Sequence, residues 1–215
     1  MKRVLFSLLI TVGHYGFCQD TLSHDALIPK SVIKYSPLHL VNHYPSIQFA
    51  YEFALAGQWT AQFDAGYVID YGYDLDEFKN KRGFKLKAEP RYYFDGKPDK
   101  GVLFYFAAEF YGNRINFDRT EVQQECFDLG CNHRYTREYD MTVKYRELGS
   151  TVKFGRLKWY RDIVFDFNFG LSLRYIRYHH PIGTGPVDTW FAVVNEDDRT
   201  AFGPHLSVRI GYRLK

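Results

Sequence analysis

The sequence predicts an all-β protein, an eight-stranded antiparallel up-and-down transmembrane β-barrel with short periplasmic turns and long extracellular loops. Seven segments alternate large apolar residues with small or polar ones at a period of two, which places the two sets on opposite faces of a strand. The apolar set is rich in aromatic residues, which make up 19% of the 215-residue chain. Short and long connections also alternate along the chain, a pattern typical of membrane barrels.

The clearest strand covers residues 46–55, where Phe49, Tyr51 and Phe53 alternate with smaller or polar neighbours. The other six alternating segments are residues 59–70, 84–94, 104–111, 147–154, 163–175 and 206–215. An eighth, less regular strand is predicted over residues 32–41, where Pro37 interrupts the alternation. Eight strands can close into a barrel that has no free edge.

The face opposite the aromatic one carries ionisable groups of both signs. An eight-stranded barrel is just wide enough for side chains to fill it, and a buried charge is costly unless it is paired. We therefore predict a closed, salt-bridged lumen. The predicted lumen charge network consists of Glu52, Asp64, Lys85, Lys87, Glu89, Arg91, Glu109, Glu147, Lys153, Asp166, Arg174, Arg209 and Arg213.

Alternation alone does not say which face is outside, and a soluble periplasmic ligand-binding barrel would bury the aromatic face. Glycines favour a crowded interior on the polar face, because a strand glycine on an exposed surface only loses packing. These glycines are Gly66, Gly112, Gly149, Gly170 and Gly211. Aromatic residues near the short turns predict a belt at the lipid headgroups. The belt residues are Trp59, Tyr92, Phe94, Trp159, Tyr160 and Tyr212.

The N-terminus has the order of a secretory signal peptide, with Lys2 and Arg3 before an apolar run and small residues. Gly16 and Cys18 occupy the small positions, so we expect cleavage before Gln19; acylation of Cys18 in a lipoprotein is the alternative. The predicted organisation is a signal peptide over residues 1–18, an N-terminal periplasmic segment over residues 19–30 and the barrel over residues 31–215.

Cys126 and Cys131 then remain in the exported chain, and an oxidising compartment favours a disulfide between them. The alternative is a metal site that adds His133, but it lacks a second pair of ligands and we predict no metal. The formal net charge is +3, and lysines and arginines alternate with carboxylates without a basic stripe. We therefore expect no nucleic-acid partner.

The chain resembles the small eight-stranded outer-membrane barrels of gram-negative bacteria, the broad OmpA-barrel-like group. Within that group it is similar to an uncharacterised subfamily that has Lys34-Tyr35-Ser36-Pro37-Leu38 followed by Tyr51-Glu52-Phe53-Ala54-Leu55. The resemblance implies a location in the outer membrane, contact with its lipid and lipopolysaccharide, and insertion by the barrel-assembly machinery.

Function is then expected in the long connections, which are predicted over residues 71–82, 116–139 and 179–204. Trp190 and Phe191 place an apolar pair in the last of these, where they are candidates for contact with a surface partner. The alternative, and the more common arrangement, is that they pack the loop onto the barrel mouth. The expected role is structural or surface-interacting, without catalytic residues or a cofactor. The alternative is a lipid A-modifying enzyme that acts by acyl transfer or deacylation, for which His179, His180, Asp188 and Thr189 are the candidates.

Overall fold

The computed structural model describes residues 28, 30–41, 44–70, 78–97, 100–126, 134–179, 192–194 and 198–214. A short 3-10 helix covers Pro37–Val41. The described strands are β1 (Ser31–Tyr35), β2 (Ser46–Ala56), β3 (Trp59–Val68), β4 (Phe78–Lys97), β5 (Val102–Cys126), β6 (Arg134–Tyr160), β7 (Ile163–His179), β8 (Ala192–Val194) and β9 (Asp198–Arg213). In this part of the chain, no helix is long and apolar enough to cross a membrane.

Eight of these strands form a closed ring in the order β1-β2-β3-β4-β5-β6-β7-β9, and β1 pairs with β9 to complete it. Every neighbouring pair in the ring is antiparallel. Among the described strands, the short β8 pairs with β9 alone and is not one of these eight. The predicted all-β fold with eight antiparallel strands is therefore confirmed.

Side chains alternate between the inside and the outside of this ring. Along β2 and β7, buried and exposed residues follow each other at a period of two over most of each strand. The outward set is apolar, and Phe49, Phe63 and Phe110 are each more than half exposed. The aromatic face that the sequence predicts is thus the outer surface of the ring.

Two residues lie on the face opposite to the predicted one. Trp159 is 3% exposed and lies inside the ring instead of in the outer aromatic belt. Gly112 lies on the outside, where an added Cβ would meet the exposed Leu148. The strand period explains both results, because Trp159 shares parity with the buried Lys153 and Gly112 shares parity with the exposed Phe110.

Strands replace much of what the sequence predicts as long loops. β5 and β6 pair continuously from Val102↔Lys158 to Cys126↔Arg134, so residues 116–139 are mostly a hairpin. β4 begins at Phe78 and β9 begins at Asp198, inside the other two predicted loops. Cross-strand pairing extends these strands through polar sequence, which alternation of apolar residues does not reveal.

The first strand is shorter than the predicted strand over residues 32–41. β1 ends at Tyr35, and the 3-10 helix follows from Pro37. Proline cannot donate a backbone hydrogen bond to a sheet, so Pro37 prevents further pairing and starts the turn toward β2. The 3-10 helix in this connection packs against β2 and β9 as a result.

The interior of the ring has three layers. An apolar cluster lies near the short turns and consists of Ile28, Val32, Tyr93, Leu103, Tyr105, Ala107, Leu157, Trp159 and Val164. A second cluster lies toward the other end and consists of Val68, Ile115, Phe117, Met141, Val143, Tyr145 and Ile176. Charged residues occupy the layer between them. The predicted signal peptide, residues 1–18, lies outside the described residues.

Candidate functional site

Four charged side chains form a closed square in the middle layer. Lys34 Nζ on β1 lies 2.5 Å from Glu52 Oε2 on β2 and 2.7 Å from Asp166 Oδ2 on β7. Arg91 Nη1 on β4 lies 3.2 Å from the same Glu52 oxygen and 2.7 Å from the same Asp166 oxygen. All four side chains are fully buried. Each charge in the square thus contacts two charges of opposite sign.

Hydroxyl groups satisfy the remaining oxygens of the two carboxylates. Thr60 Oγ1 and the Tyr93 hydroxyl donate to Glu52 Oε1, over 2.6 Å and 2.7 Å. The Tyr105 hydroxyl donates to Asp166 Oδ1 over 2.5 Å, and its ring lies under the guanidinium of Arg91, 4.4 Å from the ring centre. Because every carboxylate oxygen has a donor, the cost of burying these charges is reduced.

A second group of ion pairs continues from Glu89, which bonds to Arg91 Nε over 2.7 Å and to Lys153 Nζ over 2.9 Å. Lys153 also pairs with Glu109. Arg209 Nη2 reaches Asp64 over 3.0 Å, Glu89 over 3.4 Å and Glu109 over 3.5 Å.

Charges in this layer balance. The five cations Lys34, Lys87, Arg91, Lys153 and Arg209 are in salt bridges with the five carboxylates Glu52, Asp64, Glu89, Glu109 and Asp166. Arg91 and Arg209 are among the largest fully buried side chains in the described part of the chain. We call these ten residues the ionic layer. It joins all eight ring strands across the lumen.

A second polar group lies closer to the long-loop end, around Glu147. The Tyr145 hydroxyl and Asn113 Nδ2 donate to Glu147 Oε2, over 2.7 Å and 2.8 Å. Lys85 Nζ donates to the carbonyl oxygen of Tyr44 over 2.7 Å. The Tyr44 ring packs on Tyr145, with 5.0 Å between ring centres. Tyr44 thus fixes the connection between β1 and β2 to the inner wall.

His39 lies in the 3-10 helix of the same connection and points toward the ionic layer. Its Nε2 is 3.3 Å from Lys87 Nζ. Burial lowers the pKa of His39, and the positive charges of Lys87 and Lys85 lower it further. The imidazole is therefore neutral at pH 7 and accepts a hydrogen bond from the Lys87 ammonium.

The structure brings nine of the predicted lumen residues into the ionic layer, and they are Glu52, Asp64, Lys87, Glu89, Arg91, Glu109, Lys153, Asp166 and Arg209. Lys85 and Glu147 belong to the second polar group. Arg174 is partly exposed, and Arg213 stacks on Trp159 with 4.1 Å from its guanidinium carbon to the ring centre.

Sequence reasoning missed Lys34, which is fully buried and completes the square. It lies on the irregular first strand, where the alternation is too short to assign a face. Its pairing with Gly211, which lies on the regular polar face of the last strand, would have identified it as inward. Tyr93 and Tyr105 occupy inward positions, but a tyrosine there does not by itself indicate a hydrogen bond to a carboxylate.

Other predicted site residues fall partly or wholly outside the described residues. Cys126 ends β5, whereas Cys131, Trp190 and Phe191 lie beyond what is described. His179 is exposed at the end of β7, and His180, Asp188 and Thr189 are also outside the description. Among the described residues, no group of three or more His, Cys, Asp or Glu has the arrangement of a metal site.

Comparison with known proteins gives one structural likeness to report. No protein-family model matches the chain, and no curated protein matches it. The crystal structure of the N-terminal β-barrel domain of Pseudomonas aeruginosa OprF is similar at 9% sequence identity and a TM-score of 0.33. The match covers 86% of this chain and 98% of that one. The description of this chain as an eight-stranded β-barrel therefore rests on its own strand pairing.

Proposed function

We propose that this protein is an outer-membrane β-barrel of a gram-negative bacterium whose lumen is closed by the ionic layer. Its role is structural or surface-interacting, through the chain segments at the long-loop end. In this proposal it contacts outer-membrane lipid and lipopolysaccharide and is inserted by the barrel-assembly machinery. A surface partner would meet the extracellular side, and the activity involves no cofactor.

The observation that carries the closed lumen is the balanced ionic layer. Five cations and five carboxylates are paired across the interior, and apolar clusters lie on both sides of them. An open pore needs a continuous water-filled path, whereas these side chains occupy the middle of the ring. Removing one partner of a buried pair leaves an uncompensated charge, so single substitutions in the ionic layer should be strongly destabilising.

The observation that supports a membrane location is the outward aromatic face. Outward residues such as Phe63, Leu86 and Val152 are exposed by 54%, 61% and 68%. A soluble carrier would need water to cover this surface, and continuous apolar patches of such extent are rare on soluble proteins. Lipid chains cover it at no such cost, because the strands that carry these residues are paired on both sides, which satisfies their backbone groups.

Support for surface interaction comes from the β5–β6 hairpin. β4 last pairs with β5 at Phe78↔Arg119, and β7 last pairs with β6 at Lys144↔His179. Among the described strands, β5 and β6 pair only with each other from there to Cys126↔Arg134. The seven residues from 120 to 126 rise by roughly 23 Å at about 3.3 Å per residue. A ribbon whose edges are covered by none of the described strands can accept a partner strand or present side chains.

Heat-modifiable gel mobility and bilayer conductance test this proposal together. We expect the protein from the outer-membrane fraction to migrate differently when boiled, and the folded protein to give no steady conductance. Removing an ion pair with R209A/D64A should produce discrete conductance steps, because the space of a large buried arginine is emptied without leaving an unpaired charge. The control R156A/K158A changes two exposed residues of β6 and should stay closed. Steady conductance of the unaltered protein would contradict the closed lumen.

Deleting the projecting hairpin tests the surface role. Residues 120–140 would be replaced by Asn-Gly, a pair that favours the two-residue turn needed between Arg119 and Met141, which face each other. We expect the shortened protein to keep its heat-modifiable shift but to lose binding to intact envelope components. If the shortened protein kept all of its binding to envelope components, the hairpin would have no part in that binding.

A further inference from the structure

One interval in the wall of the ring is occupied by none of the described strands. β9 runs over Asp198–Arg213, but β1 pairs only with its residues 210–213 and β8 only with its residues 199–201. Residues 202–209 of β9 therefore have β7 on one side and no described strand on the other. On the other side of the interval, the pairing between β1 and β2 ends at Phe49, whereas β2 itself continues to Ser46. We call this interval between β9 and β2 the seam.

The connection between β1 and β2 fills the seam. We call the described residues 36–41, 44 and 45 of this connection the strap; its 3-10 helix packs against both β2 and β9. Ser36 N donates to Gln48 O over 3.2 Å, which ties the strap to β2. Among the described residues, no backbone hydrogen bond joins the strap to residues 202–209. In the described part of the chain, the strap meets that edge of β9 through the packing of its 3-10 helix.

The sequence of β9 fits an edge strand at this height. Pro204 has no backbone N–H, and proline within a sheet is confined to edge strands, strand starts and bulges. The outward residues Phe202 and Leu206 are 54% and 60% exposed, and Val41 of the strap is 80% exposed. The seam thus opens toward the apolar outer surface.

Buried polar groups lie in the strap and on the strands beside it. Ser36 Oγ and Gln48 Oε1 are buried without a hydrogen-bond partner among the described residues, although both residues are only 1% exposed. His205 Nε2 on β9 also lacks a partner. The Lys87 ammonium lies next to His39 on the inner side of the strap. These groups offer hydrogen bonds and positive charge to a polar headgroup.

We propose that the seam is a lateral binding site for a phospholipid with a net negative charge and that the strap is its displaceable cover. The acyl chains would lie along Phe202 and Leu206, while the phosphate would meet Lys87 and His205. Apolar flanks outside and unsatisfied polar groups inside match the two ends of an amphipathic molecule. This inference rests on the proposed membrane location.

Native mass spectrometry of the full chain tests lipid selectivity. The folded protein would be held in detergent micelles that contain equal amounts of dimyristoyl phosphatidylglycerol and dimyristoyl phosphatidylcholine, and the detergent would be removed in the mass spectrometer. The two lipids have the same acyl chains and differ in net charge. We expect at least threefold preferential retention of phosphatidylglycerol. His205→Ala should abolish that preference, whereas His179→Ala, at the exposed end of β7, should leave it unchanged. Equal retention of both lipids by the unaltered protein would overturn the site.

Cysteine accessibility tests whether the strap moves. Ser207→Cys, which is buried on the inner side of β9, would be compared with Ala107→Cys, which is buried on β5 across the ring from β1. Cys18, Cys126 and Cys131 would be replaced by serine in both. A maleimide that partitions into vesicles of phosphatidylcholine should label Ser207→Cys at least tenfold faster. Equal labelling rates would overturn the displaceable cover.

A heat-modifiable shift measured on each sample separates the two proposals. Loss of that shift in the unaltered protein would contradict the membrane barrel itself. A retained shift with equal lipid retention would contradict only the lateral site.

Discussion

The side chain of Lys34 reaches Asp166 across the strand that separates them. Lys34 is on β1 and Asp166 is on β7, and their Nζ and Oδ2 atoms are 2.7 Å apart. Between them runs β9, where Gly211 pairs with Lys34. A Cβ on Gly211 would lie 2.7 Å from Lys34 Cγ and 2.7 Å from Val164 Cγ1. The ion pair therefore depends on a missing side chain in the intervening strand.

We predict that Gly211→Ala destabilises the protein by about 1–3 kcal/mol, because the new methyl group overpacks the contact between β1 and β9. Gly203→Ala is the matched control on the same strand, since a Cβ there would meet nothing within 4 Å. We expect the control to change stability by less than about 0.5 kcal/mol. Urea unfolding in the same detergent measures both, and equal losses would contradict the steric explanation.

Removing the Lys34 charge should be more costly. Lys34→Met leaves Glu52 and Asp166 with one cation fewer, and breaking a buried pair on one side costs about 3–5 kcal/mol. Lys158→Met changes an exposed lysine on β6 and should be within about 0.5 kcal/mol of the unaltered protein. K34M/E52Q restores the charge balance, so urea unfolding should recover part of the loss. No recovery would argue that packing, and not charge, dominates at this position.

Tryptophan quenching distinguishes the two faces of the ring. Trp59 is 49% exposed on the outer surface, whereas Trp159 is 3% exposed inside. In single-tryptophan variants, phospholipid with brominated acyl chains should quench Trp59 fluorescence strongly and leave Trp159 nearly unchanged. Strong quenching of Trp159 would indicate that it belongs to the outer belt.

Acidification should destabilise the protein through His39. Burial keeps its folded-state pKa well below the ordinary value of about 6.5, with Lys87, Lys85, Arg209 and His205 adding to this effect. Below pH 6.5 the unfolded chain therefore binds a proton that the folded chain does not, and stability falls with falling pH.

Between pH 7.5 and pH 5.0, His39 should lower the free energy of unfolding by about 2 kcal/mol. The loss accumulates over the roughly 1.5 pH units below 6.5, at about 1.4 kcal/mol for each unit. His39→Gln removes the titrating group and should reduce the stability difference between these two pH values by about that amount. Urea unfolding at each pH measures the difference. An unchanged difference would show that His39 is not held neutral in the folded protein.

Local alternation was enough to predict the regular strands and most of the inward charges. In β7, the inward position of Asp166 follows from its parity with Asn168 and Val164, which are all buried. The same rule applied consistently would have assigned Trp159 to the interior and Gly112 to the outside. These positions follow from the strand period alone because a pleated strand turns each successive side chain to the other face.

Only the tertiary structure shows which charged side chains of the ionic layer meet, and where the wall of the ring has none of the described strands. Lys34, Glu52, Arg91 and Asp166 come from four strands and are separated by up to 132 residues, so their square depends on the strand register around the barrel. The short β1, the strap and the length of the β5–β6 hairpin depend equally on pairing between distant segments. A period of two specifies the face of each side chain, whereas partners across the lumen are set by closure, which no single segment encodes.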